Sequence, residues 1–146
     1  MGYELIQLNT LNLKTNTALG IDLNFNANGV FTPLYTELKQ AYANLKNLLQ
    51  TIPGDRFYHP SYGCNLMNVI FEPSSMELKE YINNTIQQSI LKWLPYLTIT
   101  SLDIKTAEDD PDSPYNIHIT LNTELNGIEL QPVIIFANED GIVTIK

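Results

Sequence analysis

From Tyr115 onward the chain alternates, with Tyr115, Ile117, Ile119, Leu121, Thr123 and Leu125 at odd positions and Asn116, His118, Thr120, Asn122 and Glu124 between them. A period of two marks a strand with one buried face, and Asn126-Gly127 supplies the two positive-φ residues of a type I′ turn. A two-residue turn sets the pairing of the strands on either side of it. Leu125 is predicted to face Ile128, Thr123 to face Leu130, Leu121 to face Pro132, Ile119 to face Ile134 and Ile117 to face Phe136. One face of this hairpin is then apolar throughout, and the other carries His118, Asn122, Glu124, Glu129 and Gln131. A sheet with one polar face needs covering on the other side only. The predicted fold is therefore α+β, two main helices packed on one face of a mostly antiparallel sheet.

The flanking segments extend that sheet. Residues 97–104 read as the preceding strand, but the apolar phase moves from odd to even positions between Ile99 and Leu102, and a bulge near Ser101 reconciles the halves. Pro132 has no N–H to give a ladder, so the strand carrying Val133 and Ile135 is predicted to have one side not fully paired. Asn138-Glu139-Asp140-Gly141 turns the chain into Ile142-Val143-Thr144-Ile145, a short β-branched strand. Val143 and Ile145 are the first candidates for an exposed edge that another chain extends, and Val133 and Ile135 the second.

Two helical stretches precede the strands. Thr32 reads as an N-cap and Pro33 as the first helical position, followed by Leu34, Tyr35, Leu38, Ala41, Tyr42, Leu45, Leu48 and Leu49 at helical spacing until Pro53-Gly54. The second helix opens on the capping-box pattern Ser74-Ser75-Met76-Glu77 and carries Leu78, Tyr81, Ile82, Ile86, Ile90, Trp93 and Leu94 on one face, with Pro95 stopping it. Trp93 falls on that stripe and is expected as a core anchor.

Between the helices lies the least linker-like segment of the chain. Thr51-Ile52-Pro53-Gly54-Asp55-Arg56 leads into Phe57-Tyr58-His59-Pro60-Ser61-Tyr62-Gly63-Cys64-Asn65-Leu66 and closes on Phe71-Glu72-Pro73. Paired breakers and a run of aromatics predict a compact, rigid connection. It holds the chain's only arginine and its one cysteine. A single cysteine forms no internal disulfide, so Cys64 is expected as a small packed residue. Glu72 reads as an acceptor held by backbone N–H groups or by Arg56.

Composition narrows the function classes. With 146 residues the chain has room for one domain. Sixteen acidic against eight scattered basic residues, net −8, make nucleic acid a poor partner, because binding it needs a clustered Lys/Arg face. Glu108-Asp109-Asp110-Pro111-Asp112 reads as a solvated loop without the spacing of a calcium site, and His118 as a surface strand histidine, so no metal or cofactor is expected. No apolar run reaches the ~20 residues of a membrane span, and Met1-Gly2-Tyr3-Glu4 lacks a basic signal n-region; a soluble protein made in a cytoplasm is expected.

The order of Ile21-Asp22-Leu23-Asn24-Phe25, the Pro-Gly-Asp-Arg turn, His59-Pro60, Tyr62-Gly63, Phe71-Glu72-Pro73 and Leu91-Lys92-Trp93-Leu94-Pro95 resembles the contractile-tail baseplate wedge proteins, the gpW-like family that includes TssE of type VI secretion. It departs from that pattern at Asp55, where relatives usually carry Glu, and at Ser74-Ser75, which follow the Glu-Pro step in place of basic residues. The resemblance implies a single wedge domain over residues 20–146 behind an arm of residues 1–19. It implies binding to other baseplate wedge proteins through Arg56, Glu72 and Pro73, and a sheet edge extended by the tail sheath protein near the tail tube, in a virion baseplate. Alternatives are the TssE role in a secretion baseplate, a regulator-binding anti-adaptor of the same fold, and a lysozyme-like hydrolase. The last needs two carboxylates across a cleft. Glu72 is the candidate acid, yet Asp55 shares its turn with Arg56 and Glu77 is explained by capping, so no catalytic residues are assigned.

Overall fold

A computed structural model describes residues 18–25, 29, 31–69, 76–106, 109, 117–137 and 143–145. The chain divides into two compact units, residues 1–43 and 44–146.

In the first unit, β1 (Gly20–Phe25) pairs antiparallel with β2 (Phe31–Leu34), Gly20 opposite Leu34 and Ile21 opposite Pro33. Helix α1 (Glu37–Gln50) follows, its first bond running from the Gln40 N–H to the Thr36 carbonyl at 3.1 Å. The expected helix start at Thr32-Pro33 is therefore corrected. Those residues lie in β2, where a proline is tolerated because a two-stranded ribbon leaves each strand one unpaired side. Thr36, four residues later, takes the capping position instead.

The second unit contains the rest of α1, the single turn α2 (Leu66–Val69), the long helix α3 (Met76–Trp93) and a sheet. Its strands are β3 (Leu97–Thr106), β4 (Ile117–Leu125), β5 (Ile128–Glu129), β6 (Val133–Ala137) and β7 (Val143–Ile145). They run in the order β3-β4-β6-β7 with every pairing antiparallel, and β5 pairs with the end of β4. The α+β class is as expected. So is the bulge, which lies between Ile99 and Ser101, and so is the turn, with φ of 52° at Asn126 and 79° at Gly127.

The hairpin register agrees with expectation only near the turn. Leu125 pairs with Ile128, and the Leu130 N–H donates to the Thr123 carbonyl at 2.9 Å. Beyond Pro132 the pairing slips by one, so Leu121 faces Val133, Ile119 faces Ile135 and Ile117 faces Ala137. Pro132 cannot donate to β4, and the extra residue is absorbed around Gln131 and Pro132, which lie between β5 and β6. Because side chains alternate, this slip exchanges faces. Val133, Ile135 and Ala137 are buried, while Ile134 and Phe136, expected inside, are half-buried on the outer face. The expectation that the Val133 strand has one side not fully paired agrees with the pairing: among the described residues β7 meets β6 only at Ile135, Phe136 and Ala137, and β5 pairs with β4 alone, while the side chains of Val133 and Ile135 lie in the core.

Among the described residues the largest fully buried side chains of this unit are Leu45, Leu48 and Leu49 of α1, Leu66 of α2, Ile82, Ile86 and Ile90 of α3, and Ile119, Leu121, Val133 and Ile135 of the sheet. Truncating one of these to alanine costs about 2–5 kcal/mol. On α3 the core face is Leu78, Ile82, Ile86 and Ile90, continued by Leu94 just past its end. Tyr81 lies off it, and Trp93 is half-buried, a correction of the expected core anchor. A residue at the last position of a helix has little of the helix beyond it to cover a ring that large. Among the described residues no helix is long and apolar enough to cross a membrane.

Candidate functional site

The connection after α1 is as compact as its composition predicts. The Thr51 N–H donates to the Asn47 carbonyl at 3.1 Å and its hydroxyl to the same oxygen at 2.6 Å, finishing the helix. The Asp55 N–H then bonds the Ile52 carbonyl at 3.1 Å across Pro53-Gly54, with Gly54 at φ 105°. The proline pre-sets the first corner and the glycine takes the left-handed second one. A second turn closes from the Tyr62 N–H to the His59 carbonyl at 3.0 Å across Pro60-Ser61. The two turns are tied together by the Gly54 N–H on the Pro60 carbonyl at 2.7 Å, and the loop is shut by the Cys64 N–H on the Thr51 carbonyl at 2.9 Å.

Gly63 makes that closure possible. It is buried at φ 130°, and a methyl added there would run into the Thr51 carbonyl oxygen. Cys64 behind it is fully buried. Burial pushes its thiol up, opposed by hydrogen bonds with the Ser89 side chain and the Leu66 backbone, which fits a packed residue and not a nucleophile.

Arg56 is held by two groups among the described residues. Its Nη2 donates to the Asn47 side-chain oxygen at 3.1 Å, and its guanidinium lies 4.0 Å from the Tyr62 ring centre. Tyr62 meets Trp93 edge-on at 5.1 Å, and the Lys92 ammonium stands 4.8 Å from the Trp93 ring centre. Arginine, tyrosine, tryptophan and lysine thus form a continuous ladder that joins the loop to the end of α3. Burial raises the Tyr62 hydroxyl pKa, with the Arg56 charge opposing and Tyr96 adding to the shift. Tyr96 itself accepts a bond from the Asn44 side chain at 3.0 Å. The ladder through Tyr62 and Lys92, and the Asn47 bond that holds its Arg56 end, were not assigned from the sequence. Their contacts join residues up to dozens of positions apart, and no local pattern reports such a meeting.

Phe57 and Tyr58, in the same loop, are 90% and 87% exposed and touch each other edge-on at 5.3 Å. Glu72 and Pro73 lie outside the described residues, as do Ser74 and Ser75 of the expected capping box. At the far end of the sheet, Val143 and Ile145 belong to β7, which among the described residues is the last strand and pairs only with β6. His118 stacks flat on Phe136 at 4.8 Å on the outer sheet face, a contact created by the register slip.

Asp109 is the one described residue of the acidic segment. It bonds Lys79 of α3 at 2.8 Å, the Thr106 N–H at 2.8 Å and the Thr106 hydroxyl at 3.0 Å, and these donors, Lys79 foremost, lower its pKa to about 2. That carboxylate caps the end of β3; among the described residues no three His, Cys, Asp or Glu gather as a metal site.

The family model for "Baseplate wedge protein gp25" matches residues 39–129, more than half of the chain. No curated protein matches. Three solved structures share the fold. A chain of the anti-feeding prophage (AFP) baseplate, determined by electron cryo-microscopy, is 24% identical with a TM-score of 0.58, over 72% of this chain and 81% of that one. A putative tail lysozyme from Geobacter sulfurreducens is 14% identical with a TM-score of 0.57, over 79% and 94%. A chain of the postcontracted pyocin R2 baseplate is 19% identical with a TM-score of 0.55, over 73% and 99%. The family-model match, independent of these folds, covers α3, the connection before it and the β3–β4 hairpin, and on it this chain belongs to the gp25 family of baseplate wedge proteins.

Proposed function

We propose that this chain is a structural, non-catalytic wedge subunit of a contractile-tail baseplate in a virion. In this reading it binds its wedge neighbours through the connection containing Arg56, Glu72 and Pro73, and its β7 edge, with Val143 and Ile145, starts the sheath by accepting a strand from the first sheath ring. The domain over residues 20–146 would be the assembling part and residues 1–19 an arm. The observation that carries the reading is the sheet order: β7 is short, terminal in the sheet and hydrogen-bonded on one side only among the described residues. An edge of that kind is normally a liability, and it becomes a recognition device where a polymer must start in one place. Val133 and Ile135 lie on the neighbouring strand β6, where β7 covers Ile135 but not Val133 among the described residues, and they remain the second candidates for the edge.

Strand addition uses backbone N–H and C=O groups, so a proline in the edge blocks it with little change to side-chain surfaces. Val143→Pro is expected to give a folded subunit that enters the baseplate but yields tubes without sheath, read by electron microscopy of assembled particles. Sheaths of normal length on baseplates that contain the variant would refute the assignment of the edge.

A further inference from the structure

The opposite edge of the sheet carries a separate signal. β3 pairs with β4 along its whole length, and no strand among the described residues pairs with its other side. Its inward residues Ile99, Leu102 and Ile104 are only half-buried, although their cross-strand partners Thr123, Leu121 and Ile119 are fully enclosed. On the helix side of this edge runs a groove of about 650 Å³ whose apolar lining includes Ile90, Leu91, Pro95, Leu97, Ile99 and Leu102. Leu91 stands 75% exposed on α3. Among the described residues no strand covers this stretch of α3 beyond β3. A further strand at β3 would set every second side chain into this groove and complete the burial of Ile99, Leu102 and Ile104.

The other face of the same edge specifies charge. Across the polar face, Thr98 lies opposite Glu124, and Glu124 lies directly opposite Glu129. Like charges facing each other across a ladder are destabilising, and among the described residues no cation pairs with either carboxylate. Two strand spacings, about 10 Å, separate β4 from an incoming strand beside β3. A long basic side chain on that strand spans the distance by passing over the short Thr98, which leaves the path open.

We propose that the β3 edge accepts an extended segment of another polypeptide, with apolar residues facing α3 and a lysine or arginine over Thr98 that meets Glu124 and offsets its repulsion from Glu129. This site is distinct from the β7 edge and does not depend on which partner takes that edge.

The probe is the fluorescently labelled peptide acetyl-Val-Lys-Val-Thr-Val-Lys-Val-amide, followed by anisotropy, with hydrogen exchange of the β3 amides as a second readout. It is expected to bind and to slow exchange along β3. Replacing both its lysines by glutamate, or introducing Leu91→Asp at an exposed position that leaves folding intact, is expected to weaken binding about tenfold or more. N-methylation at alternate residues removes the donors of the new ladder and is expected to abolish it. Val143→Pro is expected to leave it unchanged, so loss there would move the acceptor to β7 and overturn the proposal. It is equally overturned if no peptide binds at millimolar concentration, if the N-methylated peptide binds as well as its parent, or if Leu91→Asp has no effect. None of these results bears on sheath assembly at β7.

Discussion

Gly63→Ala should be the most damaging small substitution in the connection, and its cost can be assembled from the structure. Gly63 has φ 130°, where an alanine pays about 1–3 kcal/mol of backbone strain. The added methyl also lands on the Thr51 carbonyl oxygen and within 3.0 Å of the Pro53 nitrogen, both backbone atoms that cannot rotate away. Overpacking of this kind costs about 1–3 kcal/mol. The Thr51 oxygen is the acceptor that closes the loop to Cys64, so pushing it aside forfeits about 1 kcal/mol more. Relaxation makes the terms less than additive, and a total of about 3–5 kcal/mol is expected, a large share of a typical domain stability. Gly54→Ala is the control. Gly54 also has a positive φ, 105°, but nothing lies within 4 Å of the added methyl, so only the strain of about 1–3 kcal/mol applies. Urea melts of the two variants, with thiol labelling of the buried Cys64 as a local probe, separate the terms. Equal losses in both, or a Gly63→Ala variant within about 1 kcal/mol of the parent, would refute the close-packing argument.

The register slip predicts that Ile135→Ala, which empties a core position, costs about 2–5 kcal/mol, while Ile134→Ala on the outer face costs at least about 1 kcal/mol less; the reverse order in urea melts would restore the unslipped register. Asp109 titrates near 2 in the folded chain against 3.8 ordinarily, so its stabilisation is complete above about pH 4 and fades as pH falls towards 2. The stability gap between the parent and Asp109→Asn should therefore close across that window, and a gap independent of pH would contradict the stabilising contacts of Asp109 with Lys79 and Thr106. Arg56→Ala should cost about 1–2 kcal/mol through the lost Asn47 bond and Tyr62 stacking, with altered emission from the chain's single tryptophan, Trp93, at the other end of the ladder. If Arg56, and not backbone N–H groups, is what holds Glu72, the Arg56→Ala and Glu72→Ala losses will not add in the double mutant.

The readable parts of this fold were those specified by neighbouring residues. Asn126-Gly127 demands its own turn, the change of apolar phase between Ile99 and Leu102 demands a bulge, and Pro53-Gly54 and His59-Pro60 demand tight corners; each is present. What misled were segments in which several local signals are degenerate. Val133-Ile134-Ile135-Phe136 is apolar at every position, so nothing in it says which parity points inward, and the choice is made by Pro132 and the packing of Val133 and Ile135. Thr32-Pro33 and Thr36 both fit a helix start, and pairing of β2 with β1 excludes the first. Of the candidate site, Arg56 was visible as the lone arginine in a rigid turn. Its partners Asn47 and Tyr62, and the exposed Phe57-Tyr58 pair, depend on how the loop closes back on α1 and α3.

The most direct test of the proposed role is an electron cryo-microscopy map of the assembled baseplate containing this chain. The account predicts a strand from a sheath subunit hydrogen-bonded along the outer side of Val143–Ile145, extending the β3-β4-β6-β7 sheet. A first sheath ring seated on the baseplate with that side of β7 unpaired, or covered by another wedge protein, would contradict it.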